Sequence, residues 1–190
     1  MTELLDQGAA AIAQAVRTGK VKARDVAEMA ISRVEASNGK LTAIVDFAPT
    51  EARASADAVD ARRKQGFDGP ILGVPYTVKD TTWVQGRRVT NGSLLYRDFK
   101  PPRDAVAVER LRNAGGIFLG MTNTPEMAAK GHTENKVYGP TRHPLNTALT
   151  RVARPAVPRR PWRPASRRLR SAPTAAARAA GPHLIAVSSG

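Results

Sequence analysis

The sequence predicts an α/β fold with a partly parallel sheet, and three observations support this prediction. Apolar residues recur at helical spacing in four stretches before residue 117. Short apolar runs, among them residues 74–78 and 117–121, alternate with these stretches and are bounded by Gly and Pro. Such alternation is typical of α/β enzymes, and it stops at residue 151.

The N-terminal part of the chain predicts three helices and one strand. LLDQGAAAIAQAVRTGK predicts a helix that ends near Gly19, and ARDVAEMAISRVEASNGK predicts a second that ends at Asn38-Gly39. LTAIVDFAP predicts a short strand closed by Pro49. TEARASADAVDARRKQG is rich in alanine with charges on its outer face, and this predicts the third helix.

The middle of the chain continues the pattern. GPILGVPYTVKD predicts a strand, a turn and a second strand, because Gly and Pro interrupt the apolar run. DAVAVERLRNAGG predicts a helix with Asp104 at its N-cap and Gly115-Gly116 at its end. IFLGMTN predicts a buried strand that ends in polar residues.

The charge divides the chain into two parts. Residues 1–150 carry 21 Lys and Arg and all 16 Asp and Glu, which is the mixed charge of a globular surface. Residues 151–190 carry nine Arg and no acidic residue. Because proline recurs there and apolar periodicity is absent, we expect an irregular or disordered tail at 151–190 after a folded part at 1–150.

Several classes of protein are not expected. The chain has no cysteine, so disulfides and thiolate chemistry are excluded. No apolar run is long enough to span a membrane, and the N-terminus lacks the basic start of a signal peptide, so a cytoplasmic location is expected. The three histidines, at positions 132, 143 and 183, show no metal-ligand spacing. We therefore expect neither a metal nor a cofactor.

Lys79, in GVPYTVKD, is the residue that points most clearly to chemistry. It follows an apolar run and precedes Asp80. A lysine at the end of a buried strand is costly to desolvate as a cation, so it either points to water or has a lowered pKa and acts as a neutral base. The local pattern alone leaves both possibilities open.

Three longer stretches resemble successive blocks of the amidase signature family. They are GVPYTVKDTTWVQGRRVTNGS, DAVAVERLRNAGGIFLGMTNTPEMA and TENKVYGPTRHPLN, and their order and spacing match the family over about residues 10–150. The resemblance implies a large domain with a mixed, twisted sheet flanked by helices, of which this chain holds an incomplete, N-terminal portion. It also implies hydrolysis of an amide C–N bond by a Ser-Ser-Lys triad.

The resemblance assigns roles to individual residues of this chain. Lys79 corresponds to the catalytic base, and Asn123, Thr133 and Glu134 lie where the family builds its substrate cleft. Ser93 corresponds to a structural loop serine, and we expect Asp80 to be a structural neighbour of Lys79. Arg87-Arg88 is expected to be a solvated loop. The implied partner is a small-molecule amide; neither a specific nucleic acid nor a membrane is expected, and the oligomeric state stays open.

The family's next two blocks, which contain both triad serines, are replaced here by the arginine-rich tail. Reading the last base of each codon with the first two bases of the next recovers them with synonymous codons. Residues 151–157 can then encode Gly-Gly-Ser-Ser-Gly-Gly, and residues 173–178 can encode Asp-Gly-Gly-Gly-Ser. We therefore expect a frameshift just after Thr150, so that the 190-residue chain keeps the base, lacks both serines and is inactive.

Two alternatives to a free-standing amidase remain. The first is the glutaminase component of a tRNA-dependent amidotransferase, which nothing in residues 1–150 separates from an amidase. The second is a non-enzymatic basic protein that binds polyanions through residues 151–190. Against it, the tail has no lysine and only one aromatic residue, Trp162, for base stacking.

Overall fold

The computed structural model describes residues 3–150 and the backbone of residues 185–187. The helices are α1 (Glu3–Asp6), α2 (Ala9–Arg17), α3 (Ala23–Leu41), α4 (Pro49–Lys64) and α5 (Val106–Asn113). The strands are β1 (Ile44–Phe47), β2 (Pro75–Lys79), β3 (Ile117–Thr122), β4 (Arg142–His143), β5 (Asn146–Thr150) and β6 (Ile185–Val187). Single 3₁₀ turns lie at Leu94–Tyr96 and Glu126–Ala128.

Four strands form a mixed sheet in the order β1-β3-β2-β6. β2 runs parallel to β3 and β6, whereas β1 is antiparallel to β3. The predicted α/β fold with a partly parallel sheet is confirmed. β6 corrects the expectation for the tail, because three of its residues pair through their backbone with Tyr76–Val78 of β2. The remainder of the tail lies outside the described residues.

The sheet has an apolar core on each face. Period-two alternation along β3 sends Ile117 and Leu119 to one face and Phe118 to the other. The first face packs against α2, α3 and α4, which contribute buried residues such as Ile12, Val26 and Ala52. The second face includes Tyr76 and Val78 of β2 and Val108 of α5. The central strands are therefore covered on both sides, as in other parallel sheets.

Three predicted elements differ from the structure, each for a local reason. The first helical stretch is broken at Gly8, whose φ of 98° separates α1 from α2. α3 continues through Asn38-Gly39 to Leu41, and the Asn38 side chain then accepts hydrogen bonds from the amides of Ala43 and Ile44 at 3.0 and 2.8 Å. GPILGVPYTVKD forms only one strand, β2, because residues 70–73 form turns.

Asp104 is also not the N-cap that the sequence predicts for α5. Ala105 occupies that position. The Asp104 carboxylate instead accepts hydrogen bonds from the backbone N–H of Gln85 at 2.6 Å and from Arg112 Nε at 2.9 Å.

The N-terminus of α3 is capped from a neighbouring helix. The two carboxylate oxygens of Asp60, in α4, accept hydrogen bonds from the amides of Ala23 and Arg24 at 2.9 and 3.0 Å. These amides have no partner within their own helix, so the contact both satisfies them and fastens α3 to α4. In the part of the chain that the structure describes, no helix could cross a membrane.

Candidate active site

Lys79 lies at the carboxyl end of β2, opposite Thr122 at the carboxyl end of the parallel strand β3. The first four residues of β2 are buried and Lys79 is half-buried. A turn follows at once, because the amides of Thr81 and Thr82 donate to the Lys79 carbonyl at 2.7 and 2.9 Å. In open α/β sheets, ligands bind at this end of the parallel strands.

Asp80 is fully buried beside Lys79. Its carboxylate accepts hydrogen bonds from the Thr90 amide at 2.8 Å and from the Thr90 hydroxyl. Burial raises the pKa of Asp80 above its ordinary value, although the hydrogen bonds from Thr90 oppose this. The carboxylate thereby closes the loop of residues 81–90 on itself, which matches the structural role expected for Asp80.

Two loops meet beside this closure. Asn91 and Gly92 have left-handed φ angles of 50° and 64°, and a Cβ at Gly92 would lie 2.9 Å from the Thr124 carbonyl oxygen. The Met127 amide donates to the Asn91 carbonyl at 2.8 Å. The chain after β2 and the chain after β3 approach each other so closely here that only a residue without a side chain fits at Gly92.

Ser93 takes part in the same loop contact. Its hydroxyl donates to Glu126 Oε1 at 2.9 Å and accepts from the Leu95 amide at 3.4 Å. These bonds join the loop after β2 to the 3₁₀ turn after β3, which agrees with the structural role that the family resemblance implies for Ser93.

Asn123, a predicted cleft residue, uses every hydrogen-bonding position of its side-chain amide within the protein. Its Nδ2 donates to the Gly139 carbonyl at 3.1 Å and to Thr141 Oγ1 at 3.0 Å. Its Oδ1 accepts from the Thr124 amide at 3.0 Å and from Asn135 Nδ2 at 2.7 Å. An amide has two donors and two acceptor positions, so none is left for a ligand.

Asn135 and Thr141 belong to this network and were missed by sequence analysis. Asn135 Oδ1 accepts from the amides of Val137 and Tyr138 at 2.9 and 2.7 Å, and Thr141 Oγ1 donates to the Thr42 carbonyl at 2.9 Å. The Thr141 side chain bonds to a residue distant in sequence, whereas the Asn135 oxygen stabilises a local turn of the loop. The available signal was only the density of Asn and Thr in TENKVYGPT.

The other two predicted cleft residues lie in different surroundings. Thr133 is buried, and its carbonyl accepts from the Thr141 amide at 2.9 Å. Glu134 is exposed, and its carboxylate lies 3.9 Å from Nε2 of His132. The structure therefore brings Asn123 and Thr133 into one network, whereas Glu134 points its charge to the surface.

Tyr138 adds a phenol near the Asp80–Thr90 closure. Burial raises the pKa of Tyr138, as does the neighbouring Asp80 carboxylate, and a hydrogen bond with the Thr90 side chain opposes them. Tyr138 comes from the segment that Asn123 anchors, so this segment reaches the end of β2. Within residues 3–150, no group of three His, Cys, Asp or Glu side chains could hold a metal ion.

Arg87 corrects the expectation of a solvated arginine pair. Its guanidinium is half-buried and bonds to Asp46 in β1 at 3.1 Å and to Glu51 in α4. It also lies over the Phe118 ring at 5.7 Å. Arg88 alone is exposed, as predicted. The loop after Lys79 is thus tied to the sheet and to a helix.

Comparison with known proteins gives the family. Residues 25–151 match the sequence model of the Amidase family. The chain is 41% identical over 136 residues to an acylamidase of Rhodococcus erythropolis, covering 70% of this chain and 28% of that protein. It is 37% identical over 136 residues to a glutamyl-tRNA(Gln) amidotransferase subunit of Synechococcus sp. (strain CC9605), covering 71% of this chain and 28% of that protein.

A solved structure agrees with these relatives. A bacterial aryl acylamidase of the amidase signature family superimposes with a TM-score of 0.71 at 30% identity, over 77% of this chain and 31% of that one. The chain spans less than a third of the length of the relatives it matches. On its sequence match and its fold, the chain belongs to the amidase signature family.

Proposed function

We propose that the chain is the N-terminal part of an amidase that hydrolyses the C–N bond of a small carboxylic amide, with Lys79 as the general base. The position of Lys79 carries this proposal. It is half-buried at the carboxyl end of two parallel strands, beside a loop that Asp80 and Thr90 hold closed. The family match over residues 25–151 supports the reaction class.

The proposed chemistry needs a neutral amine at Lys79. A nucleophilic serine attacks the amide carbonyl carbon while its proton passes through a second serine to the lysine. The resulting ammonium then returns a proton to the leaving nitrogen as the C–N bond breaks, which leaves an acyl-serine for water to hydrolyse. The chain's own contribution is to hold the base at the end of β2.

We propose that both serines are encoded after Thr150 in the shifted frame and that the 190-residue chain is inactive. Residues 1–150 then form the N-terminal part of an amidase-signature domain, and residues 151–190 are an out-of-frame tail. The family match ends at residue 151, where the frame is proposed to change. A base without its nucleophile cannot form an acyl-enzyme.

Among the cleft candidates, we propose that Asn123 positions residues 133–141 and does not contact substrate, since its amide is fully bonded. Thr133 and Glu134 stay candidates for substrate contact. We expect the protein to act in the cytoplasm without a cofactor.

The test compares two genes. One encodes the 190-residue chain, and the other has one base inserted at codon 150 and is expressed to the end of the restored frame. The substrate is p-nitroacetanilide, chosen because one relative is named an aryl acylamidase. We expect p-nitroaniline release only from the restored protein, and its loss with Lys79→Ala but not with the control Lys64→Ala. Hydrolysis by the 190-residue chain that depends on Lys79 would overturn the proposed inactivity.

A second candidate is favoured by the names of several relatives. Proteins named as glutamyl-tRNA(Gln) amidotransferase subunits match this chain at 35–38% identity. This candidate function has glutamine as the substrate and requires further protein components. Hydrolysis of glutamine but not of p-nitroacetanilide by the restored protein, increased by proteins encoded beside it, would favour this candidate over the free-standing amidase.

A further inference from the structure

Glu51 is the point at which two arginines from different parts of the chain meet. Its Oε2 accepts from Arg87, in the loop after Lys79, and its Oε1 accepts from Arg112 Nη1, in α5, at 2.9 Å. All three side chains are between two thirds and four fifths buried. Both guanidinium groups also lie over the Phe118 ring, at 5.7 and 5.4 Å.

The same network holds the loop of residues 81–90 at a second position. Arg112 Nε donates to Asp104 Oδ2 at 2.9 Å, and Asp104 Oδ1 accepts from the backbone N–H of Gln85 at 2.6 Å. The loop is therefore fastened at Gln85 and Arg87 by this network and at Thr90 by Asp80. Loss of Glu51 would leave Arg87 with only one of its two carboxylates.

Glu51 is charged when it makes these contacts. Burial raises the pKa of Glu51, but hydrogen bonds from Arg87 and Arg112 outweigh it and hold the pKa below its ordinary value. A half-buried carboxylate shared by two arginines is costly to remove, because both cations then lose a partner. Glu51 is thus an anchor whose loss should loosen the loop before it unfolds the domain.

We propose that Glu51 is a positioning residue for Lys79 that acts through Arg87. The loop that Arg87 holds begins immediately after Lys79-Asp80 and closes on the Asp80 carboxylate. When this loop loosens, the hydrogen bonds between Asp80 and Thr90 weaken, and the side chain of Lys79, next to Asp80 in the chain, becomes less buried. The proposal rests on the proposed function only in naming Lys79 as the base.

The test measures how readily Lys79 reacts in the 190-residue chain. The protein is acetylated briefly with an N-hydroxysuccinimide ester, and the ratio of Lys79 to Lys100 acetylation is read by mass spectrometry, with exposed Lys100 as the internal reference. Because a loosened loop exposes the Lys79 amine, we expect Glu51→Gln to raise this ratio about fivefold. The readout needs no amide hydrolysis, so it does not depend on catalysis.

A matched control is available in the contact between α3 and α4. Glu28 also accepts from two arginines, Arg24 at 2.9 Å and Arg53 at 2.9 and 3.0 Å, but between α3 and α4. Glu28→Gln should leave the ratio unchanged. An equal rise in Glu28→Gln, or no rise in Glu51→Gln while Asp80→Asn gives one, would overturn the proposal.

A double-mutant cycle tests the route through Arg87. If Glu51 acts through Arg87, Arg87→Met raises the ratio by itself, and adding Glu51→Gln raises it no further. Additive effects would overturn this route. Arg87→Met also keeps the proposal testable if Glu51→Gln does not fold.

Discussion

Asn135 donates its side-chain amide to the side-chain oxygen of Asn123 at 2.7 Å, between two loops that follow different elements. Asn123 comes directly after β3, and Asn135 lies in the segment that leads to Tyr138. The contact joins the carboxyl end of the sheet to residues 133–141. The buried side-chain amides of Asn123 and Asn135 therefore bond to protein groups beside the proposed site. Lys79 is the residue of this chain that we propose takes part in the chemistry.

Replacing Asn123 should destabilise the fold. Asn123→Ala removes four hydrogen bonds and leaves buried partners unsatisfied, so the free energy of unfolding should fall by about 2–4 kcal/mol. Urea denaturation followed by circular dichroism measures this. The control Asn113→Ala, at an exposed position ending α5, should cost far less. Equal losses in the two variants would contradict the structural role of Asn123.

Asp80 should give stability a specific pH dependence. Its pKa is raised by burial, so the folded state keeps the proton to higher pH than the unfolded state, whose pKa is near 3.8. The contribution of Asp80 to stability is therefore greatest below pH 3.8, falls as pH rises through the window up to the raised pKa, and is constant above it.

The Asp80→Asn variant lacks this titration. Urea unfolding at a series of pH values should show its stability rising relative to the unmodified chain across that window and running parallel at higher pH. Stability curves that stay parallel over the whole pH range would show that burial does not raise the pKa of Asp80.

Asp60 and Asp57 offer a matched pair on α4. Asp60→Ala uncaps α3 and should lower the free energy of unfolding by about 0.5–2 kcal/mol. Asp57 makes only an exposed ion pair with Arg24, so Asp57→Ala should cost less than about 0.5 kcal/mol. Thermal denaturation of both variants tests this, and an Asp57 effect as large as that of Asp60 would refute the cap.

The arginine-rich tail should bind polyanions without specificity. Residues 151–190 carry nine arginines and no acid, so the whole chain should bind heparin strongly at low salt and elute as salt screens the charge. Truncation after Thr150 should remove most of this retention. Retention that survives truncation would exclude the tail as its cause. Tight binding to one nucleic acid sequence at high salt would instead support an evolved binding function.

Elements with a strong local pattern could be predicted from the sequence. Helix α4 has alanine-rich periodicity with Pro49 at its start, and β2 and β3 have apolar runs bounded by glycine. The end of α3 could not be placed, because the Asn38 side chain bonds to the strand that follows and lets the helix pass through Gly39. β6 is only three residues long and has no periodicity to detect.

The polar partners of the site had no local signal. Arg87 bonds to Glu51, which is 36 positions away in the sequence, and Thr141 bonds to Thr42, which is 99 positions away. Only the folded chain shows these pairs. Lys79 was found because a cation ending an apolar run is costly and because the family resemblance covers that stretch. Asp104 was misplaced because a cap pattern cannot show that a carboxylate is already taken by Gln85 and Arg112.

The most direct test of the central claim is to sequence the source gene across codons 145–190. We expect the shifted frame to stay open through codon 190 and to encode Gly-Gly-Ser-Ser-Gly-Gly over codons 151–157. In the present numbering, the codons of Ala153, Arg154 and Ala177 must end in T, because only then does the shifted frame place serine at these three positions. If the Ala153 and Ala177 codons end in another base, the shifted frame lacks both serines of the triad, and the account is contradicted.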